Sequence, residues 1–516
     1  MSEGDDRKTL GIDLGTTNSG MAVYEGDEPQ ILQNNEGDPL TPSVVSFGDD
    51  DVEVGRRANN RAAARPERTK REIKLEMGDS EYAFEVDGES YSPTEISAEI
   101  LQKLKRDAED YLGETVTEAV ITVPAYFNSD QKKATRQAGV ESGFDDVQLT
   151  NEPTAAALAY GEEQQQPLRG TIMVFDFGGG TLDVSIIDVD TGASQPEYDV
   201  RVAEGNNELG GRNFDRALVE HFAESLPQDE ADLLDDPEIE ENLREAAEQA
   251  KIELSTSDET DVLVPYLGVV DGDQVELDET ITRDTFEDLV AEELEEVREE
   301  VRQALEAADL ERGDLDMVLL VGGSTYVPAV REAVEAETDV EPVRSRDPDQ
   351  IVATGAAVYG EKAIVEGGGT GGTTGGKGTT GGIEVVENIP MALGTRLHDG
   401  SFDPIIPGNT KLKDARGTGY YTTVEDNQTL VTIDVFQGED PVAENNTKLD
   451  EFQLTGIPPM PAREPQIEVV FYVDEDGVLQ VEADELSSDA EGELEVQQDV
   501  TGTTDSEVAD AAESEN

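Results

Sequence analysis

Two stretches of this chain repeat one another, and no other feature restricts its fold as tightly. TLGIDLGTTNSGMAVYEG (9–26) and IMVFDFGGGTLDVSIIDVD (172–190) share one pattern. In each, an apolar strand runs into Asp, then x-Gly, a small-residue turn carrying Thr, and a second apolar strand. Asp13 aligns with Asp176 and Gly15 with Gly178. Two hairpins related in this way imply two similar lobes facing each other across a cleft. Glycines let backbone N–H groups approach an anion closely, and threonine hydroxyls add donors. An Asp at each strand end can hold a hydrated Mg²⁺, which prefers carboxylate oxygens and keeps several waters. A third element, MVLLVGGSTYVP (317–328), reads as strand, Gly-Gly turn and helix, a geometry that offers a nucleotide a close-packed backbone edge. Any one of these motifs alone is weak, since strand-Gly-Gly turns are more often plain chain reversals. Three in this order, two of them repeats, weigh against that reading.

Around these motifs, residues 8–366 alternate strand-like and helix-like patterns, as expected of an α/β region. TEISAEILQKLKRDAEDYL (94–112) carries helical periodicity, with Thr94 as N-cap and Ile96, Ile100, Leu101 and Leu104 along one face. The pattern recurs at 240–254 and 285–309. Residues 367–387, a Gly/Thr run followed by IEVVE, read as a flexible linker. Beyond it the pattern changes to short strands: TLVTIDVF (429–436), IEVVFYV (467–473) and VLQVEA (478–483), with an Asp-Gly turn at 476–477. These predict an antiparallel all-β domain over 388–500. The acidic stretch 501–516 is expected to be disordered.

Charge excludes several function classes. Acids number 119 and bases 37, a formal net charge of −82. Nothing offsets repulsion from a nucleic-acid backbone, and an anionic membrane surface is disfavoured for the same reason. No apolar run approaches the ~20 residues that span a bilayer, and MSEGDDRKTL has no signal-peptide core. The chain has no cysteine, and His221 and His398 are its two histidines, which excludes thiolate chemistry and a multi-histidine zinc site. Its chemistry must run on carboxylates, hydroxyls, lysine and glycine backbone, and it is expected to be soluble and cytoplasmic. Because the acids are interspersed with regular apolar periodicity, and lysine is scarce (13 against 24 arginines), the surplus reads as a surface adapted to concentrated salt.

The hairpin pattern is that of the actin-like ATPase superfamily, in which two ribonuclease-H-like lobes clamp ATP and Mg²⁺. More specific are GIDLGTTNS (11–19), VTEAVITVPAYFN (116–128), NEPTAAALAYG (151–161), FDFGGGTLDVSI (175–186), AKIELS (250–255) and LLVGGSTYVP (319–328). With these the sequence resembles the seventy-kilodalton heat-shock chaperone family, of the DnaK type. The resemblance continues in VEDNQTLVTIDVFQGE (424–439) and PQIEVVFYVDEDGVLQVEA (465–483), which look like that family's β-sandwich peptide-binding domain. It implies that Asp13, Asp176 and Asp183 surround Mg²⁺ and its waters. Gly15, Thr16, Thr17, Gly178, Gly179, Gly180 and Thr181 would cradle the phosphates. Lys74, Glu152, Thr181 and Asp183 would be catalytic. Glu248, Lys251, Ser255, Gly322, Gly323, Ser324 and Asp349 would surround the nucleoside. Tyr326 stands where the family usually has an arginine that stacks on adenine, and Ile252 replaces a residue that is often basic. In the β-domain, His398, Tyr421, Val424, Val431 and Ile433 fall at positions implied to touch peptide.

The resemblance thus implies an ATP-dependent chaperone that binds unfolded or extended apolar polypeptides, with ATP/ADP and Mg²⁺ as cofactors. K⁺ joins them if the family's cation sites beside ATP are kept. A J-domain co-chaperone and a GrpE-type nucleotide exchange factor are the implied partners. The family's helical lid has no counterpart after residue 500, so a lidless regulatory ATPase with one dedicated partner is an alternative. A sugar kinase of the same superfamily offers no role for residues 383–500, and an actin-like filament protein is disfavoured by the appended β-domain.

The Debye length is ~3 Å at 1 M salt and ~30 Å at 0.01 M, so in dilute buffer the 82 net negative charges repel across the whole molecule. Melting temperature, followed by circular dichroism, is expected to fall when molar KCl is replaced by dilute buffer. An unchanged melting temperature would remove the salt-adapted reading.

Overall fold

The computed structural model describes residues 8–365 apart from 27, 49–50, 165–166, 193–195, 227–232 and 271–272. It further describes 384–386, 388–389, 391–473, 478–487 and 491–499. The Gly/Thr run at 367–382, the Asp-Gly turn at 476–477 and the acidic stretch 501–516 lie outside the described residues. The chain divides into two compact units, the first formed by Met1–Ala125, Ala134–Thr191 and Glu204–Glu361, the second by Tyr126–Lys133, Gly192–Ala203 and Lys362–Asn516. Among the described residues, no helix is long and apolar enough to cross a membrane.

The second unit is β-rich. One four-stranded sheet runs in the order Phe402–Ile406, Leu393–Arg396, Leu430–Gln437, Thr447–Thr455, and another in the order Arg416–Tyr421, Ile467–Val473, Val478–Glu485, Glu491–Asp499. All of these pairings are antiparallel. The strands predicted at 429–436, 467–473 and 478–483 appear with ends shifted by two residues at most. Alternation explains why: Leu393, Ile433, Val435 and Leu454 of the first sheet join Val469, Phe471 and Val481 of the second in one buried cluster. Two segments from earlier in the chain belong to this unit. Ser129 donates through its hydroxyl to the Gln437 side chain at 3.1 Å and the Asn128 amide donates to Thr447 at 3.1 Å. Glu197–Asp199 pairs in parallel with Glu384–Val386, placing the middle of IEVVE in a strand.

The first unit holds the repeat, and its sheets reproduce it. Thr9–Asp13 pairs antiparallel with Asn18–Glu25 and parallel with Glu118–Val123, which in turn pairs parallel with Asp146–Asn151. Arg169–Phe177 pairs antiparallel with Leu182–Asp190 and parallel with Met317–Val321, which pairs parallel with Val343–Arg344. The inner strands are continuous apolar runs because helices cover them.

Three helices depart from the sequence expectation, and the one read at 240–254 is Pro237–Leu254, capped by Asp236. The helix predicted over 94–112 is Pro93–Leu112, and its N-cap is Ser92 rather than Thr94. Ser92 Oγ accepts from the Glu95 N–H while the Glu95 carboxylate accepts from the Ser92 N–H. Pro93, whose fixed φ suits the first helical position, therefore begins the helix. The helix expected over 285–309 is split into Arg283–Leu289 and Ala291–Ala307 at Val290, a fully buried β-branched residue with φ −100° and ψ 21°.

Helix Ile351–Tyr359 is apolar nearly all round and accordingly buried. It packs so closely on helix Glu152–Glu163 that a Cβ at Gly355 would lie 1.8 Å from the carbonyl oxygen of Ala155. On the strand Thr9–Asp13, a Cβ at Gly11 would lie 2.2 Å from the nitrogen of Ala357. This helix thereby fixes both the start of the Glu152 helix and the strand that ends at Asp13. Gly355→Ala is expected to destabilise the chain by about 1–3 kcal/mol, the usual cost of overpacking. The denaturant midpoint measures it, and a midpoint equal to wild type would show that the helix pair can separate freely.

Candidate functional site

The two glycine turns of the repeat meet tip to tip. A Cβ at Gly179 would lie 1.9 Å from Thr17 Oγ1, and one at Gly180 would lie 2.5 Å from Thr16 Cγ2. Only residues without a side chain allow this approach. The second turn is tied down on its far side: Ser324 Oγ donates to the Gly178 carbonyl at 2.7 Å, and the N–H groups of Gly211 and Arg212 donate to the carbonyls of Gly178 and Gly179. Gly322 has φ 82°, and a Cβ there would strike the Phe177 carbonyl oxygen at 2.4 Å. These three glycine elements border a cavity of about 490 Å³ within the first unit.

Acids converge at its base. Asp13 ends its strand and accepts from Thr122 Oγ1 at 3.2 Å. Asp176 and Asp183 stand opposite each other across their hairpin. Lys74 and Glu152, both nearly fully buried, form an ion pair at 2.5 Å. Burial, and next the Glu152 carboxylate, push Asp13 up to about 7 against the opposing pull of Lys74. The same two causes raise Asp176 and Asp183 well above the usual carboxylate range. Burial alone would lower Lys74, but Glu152 and Asp13 outweigh it and hold the ammonium charged. One cation thus faces four carboxylates in a desolvated site, an imbalance that favours a further cation. Asp183 accepts from the Ala125 N–H at 3.1 Å, and its buried Oδ2 has no hydrogen-bond partner among the described residues. Among those residues, no three His, Asp or Glu side chains gather closely enough to hold a metal ion by themselves. A cation here would need waters or ligand oxygens to complete its shell, which suits Mg²⁺.

The opposite wall comes from helix Pro237–Leu254. Arg244, Glu248 and Lys251 follow one another at spacings of four and three residues and so share a face lining the cavity. Lys251 pairs with Asp215 at 2.8 Å, and Arg244 pairs with Glu241 at 2.9 Å and Glu248 at 3.4 Å. Glu241 in turn receives Arg71 at 2.5 Å. Of the residues marked from sequence for this site, all but Gly180 and Asp183 line the cavity. Gly180 is turned onto Thr16, and Asp183 is 1 % exposed. Arg212, Asp215 and Arg244 also line it and went unmarked in the sequence. Arg244 had a signal, its helical spacing from Glu248 and Lys251, while Arg212 and Asp215 sit outside the repeat and offered none.

The five residues marked for peptide contact are placed differently from one another. Tyr421, half-buried, donates its hydroxyl to Asp403 at 2.7 Å. Val424 is exposed and Val431 is partly buried against the cluster shared by both sheets. Ile433 is a member of that cluster, 4 % exposed. His398 is exposed in the turn joining Leu393–Arg396 to Phe402–Ile406.

A family model described as "Hsp70 protein" matches residues 9–86 and 75–516. The chain belongs to the Hsp70 family. Among its relatives are the proteins named "Chaperone protein DnaK" from two strains of Halobacterium salinarum, each 44 % identical over 482 residues, covering 93 % of this chain and 73 % of the relative. Members of the Hsp70 family are ATPases that use ATP or ADP with Mg²⁺, and a cavity walled by glycine turns and floored by carboxylates fits that ligand.

The raised acids give a sign to pH dependence. A carboxyl with a higher pKa in the folded chain than in the unfolded chain binds its proton more tightly when folded. Stability therefore falls as pH rises from the unfolded value near 4 to the folded value of about 7 for Asp13. In metal-free protein, Asp13→Asn is expected to raise the melting temperature at pH 7.5 and to leave it little changed at pH 4. A variant no more stable than wild type at pH 7.5 would refute the buried-charge account.

Proposed function

We propose that this chain is an ATP-dependent chaperone whose first unit binds and hydrolyses ATP and whose β-rich region binds extended apolar segments of unfolded protein. The observation that carries the reading is the tip-to-tip meeting of two repeated glycine turns above a buried Lys74–Glu152 pair, in a chain of the Hsp70 family. On this reading residues 8–366 form two ribonuclease-H-like lobes of actin-like type, and 388–500 form a β-sandwich. The paired sheets of the repeat and the single core shared by two antiparallel sheets support it.

In this reading the N–H groups of Gly15–Thr17 and Gly179–Thr181 receive the phosphates, Gly178 lines the cavity with its N–H closing the turn onto the Thr181 carbonyl, and the hydroxyls of Thr16, Thr17 and Thr181 add donors. Lys74 carries its charge into a site largely shielded from water, where a fixed cation stabilises developing negative charge most effectively. Glu152 holds that ammonium in place. Asp13, Asp176 and Asp183 would hold Mg²⁺ through its waters, and the free Oδ2 of Asp183 is an acceptor for one of them. Mg²⁺, when bound, neutralises phosphate charge and fixes the orientation of its oxygens. Glu248, Lys251, Ser255, Gly322, Gly323, Ser324 and Asp349 would enclose the nucleoside. In the second unit Tyr421, Val424 and Val431 keep surface available to a peptide, with Ile433 supporting them from the core and His398 at a hairpin end. A J-domain co-chaperone and a GrpE-type exchange factor are the proposed partners, K⁺ a proposed second cation, and a salt-rich cytoplasm the proposed setting. The relatives from Halobacterium salinarum and the net charge of −82 support the last of these.

Lys74→Ala is expected to lower single-turnover ATP hydrolysis by roughly 10²–10³-fold, the usual cost of losing one preorganised charge-stabilising group, while nucleotide binding persists. Hydrolysis at a near wild-type rate would remove Lys74 from the mechanism.

A further inference from the structure

Four basic side chains line the cavity of the first unit: Lys74, Arg212, Arg244 and Lys251. Three of them have close partners, Lys74 with Glu152 at 2.5 Å, Arg244 with Glu241 at 2.9 Å and Lys251 with Asp215 at 2.8 Å. Arg212 is held differently. Its backbone is fixed, since its N–H donates to the Gly179 carbonyl of the second glycine turn. Its guanidinium, 32 % exposed, faces Glu72 at 3.8 Å, too far for a hydrogen bond. Among the described residues that side chain makes no hydrogen bond, so its five N–H donors are available to a ligand. An anion in this cavity needs such a donor. Lys74, the cation at the base, already answers Glu152 with Asp13, Asp176 and Asp183 close by.

Resting on the nucleotide reading above, we propose that Arg212 binds the outermost phosphate of a nucleoside triphosphate, giving up Glu72 to do so, and thereby favours triphosphate over diphosphate. The two ends of the cavity fix which phosphate it meets. Lys251, on the nucleoside side in that reading, reaches the carbonyl of Gly211 at 3.2 Å. The tip of the next side chain, Arg212, stands instead by Glu72, at the head of the short 3-10 helix Ile73–Glu76 that carries Lys74. Arg212 and Lys74 therefore converge on the phosphate end, and a diphosphate lacks the group they would share. A guanidinium presents parallel N–H groups that match two oxygens of one phosphate, a fit that Glu72 does not make at its distance. Glu72 is thus a resident anion that a phosphate can displace at small cost, because a loose, half-exposed ion pair is weak. Recognition by paired short hydrogen bonds also suits concentrated salt, where the Debye length of ~3 Å at 1 M removes longer-range attraction.

The test is calorimetric binding of ADP and of the β,γ-imido analogue of ATP, each with Mg²⁺, to the full chain in molar KCl. Arg212→Gln is expected to weaken the analogue by at least about tenfold, the lower end for a hydrogen bond to a charged group, while ADP affinity changes by less than about threefold. Arg212→Lys should recover part of the loss, since it restores the charge without the fork. Glu72→Gln should act in the opposite direction, tightening the analogue by roughly two- to fivefold, the scale of an exposed ion pair. That gain should vanish when Arg212→Gln is added. A gain from Glu72→Gln that persists without Arg212 overturns the exchange between the two anions. Arg212→Gln that weakens ADP as steeply as the analogue overturns the assignment to the outermost phosphate. Unchanged affinity for the analogue in Arg212→Gln overturns this proposal alone, whereas wild type binding neither nucleotide overturns the reading beneath it.

Discussion

A buried lysine facing four carboxylates is the constraint on which the first unit depends. Lys74 pairs with Glu152, but Asp13, Asp176 and Asp183 share the same desolvated pocket, where burial first and the Glu152 charge next push all three up. Apolar packing does not explain such a cluster, because each buried charge costs several kcal/mol before any pairing recovers it. The surrounding fold must therefore hold these groups in place against their mutual repulsion. It does so with its most rigid parts: Asp13 and Asp176 end or nearly end central strands, Asp183 opens the partner strand of its hairpin, and Glu152 opens a helix. The helix Ile351–Tyr359, wedged against that helix and the Asp13 strand through Gly355 and Gly11, sets their separation. A ligand bringing cationic charge offsets this repulsion, which couples binding to stability.

The backbone supplies what the acids cannot. Gly179 against Thr17 and Gly180 against Thr16 are contacts that any side chain would block, so the two turns approach only as glycine. In the second turn the Gly178 and Gly179 carbonyls are already engaged, by Ser324 Oγ and by the start of the helix Gly211–Ser225, and this fixes that turn's geometry independently of any ligand. Carboxylates below and fixed backbone above give a site that separates cation from anion. That is the arrangement a metal-bound polyphosphate requires.

Much of this was legible in the sequence because repetition is hard to obtain by chance. Asp13 with Asp176 and Gly15 with Gly178 aligned without any structure, and the sheets show the same order of pairing on both sides of the repeat. Strands such as Ile467–Val473 were legible because alternation persists for the whole element. What was not legible depended on single contacts. Ser92 displaced Thr94 as N-cap because Pro93 fits the first helical turn, a local rule that periodicity does not see. Val290, fully buried and out of helical geometry at φ −100° and ψ 21°, interrupts an otherwise continuous helical pattern. Ile433 and Val431 carry the same alternation signal, yet one lies in the core and the other half outside it. Arg212 and Asp215 reach the cavity from a helix that the repeat does not contain.

The surface and the interior obey opposite electrostatic rules in this chain. Over the whole chain acids outnumber bases by more than three to one, and screening by salt makes the exposed surplus tolerable. Around the cavity several acids are answered by a specific partner, Lys74 for Glu152, Lys251 for Asp215 and Arg244 for Glu241 and Glu248, whereas Asp13, Asp176 and Asp183 share a single lysine. With 37 basic residues in the whole chain, several are committed to walls of one cavity rather than to the surface. The cations that wall the cavity are held in ion pairs there, while others such as Arg169, Arg216 and Arg396 stay on the exposed surface.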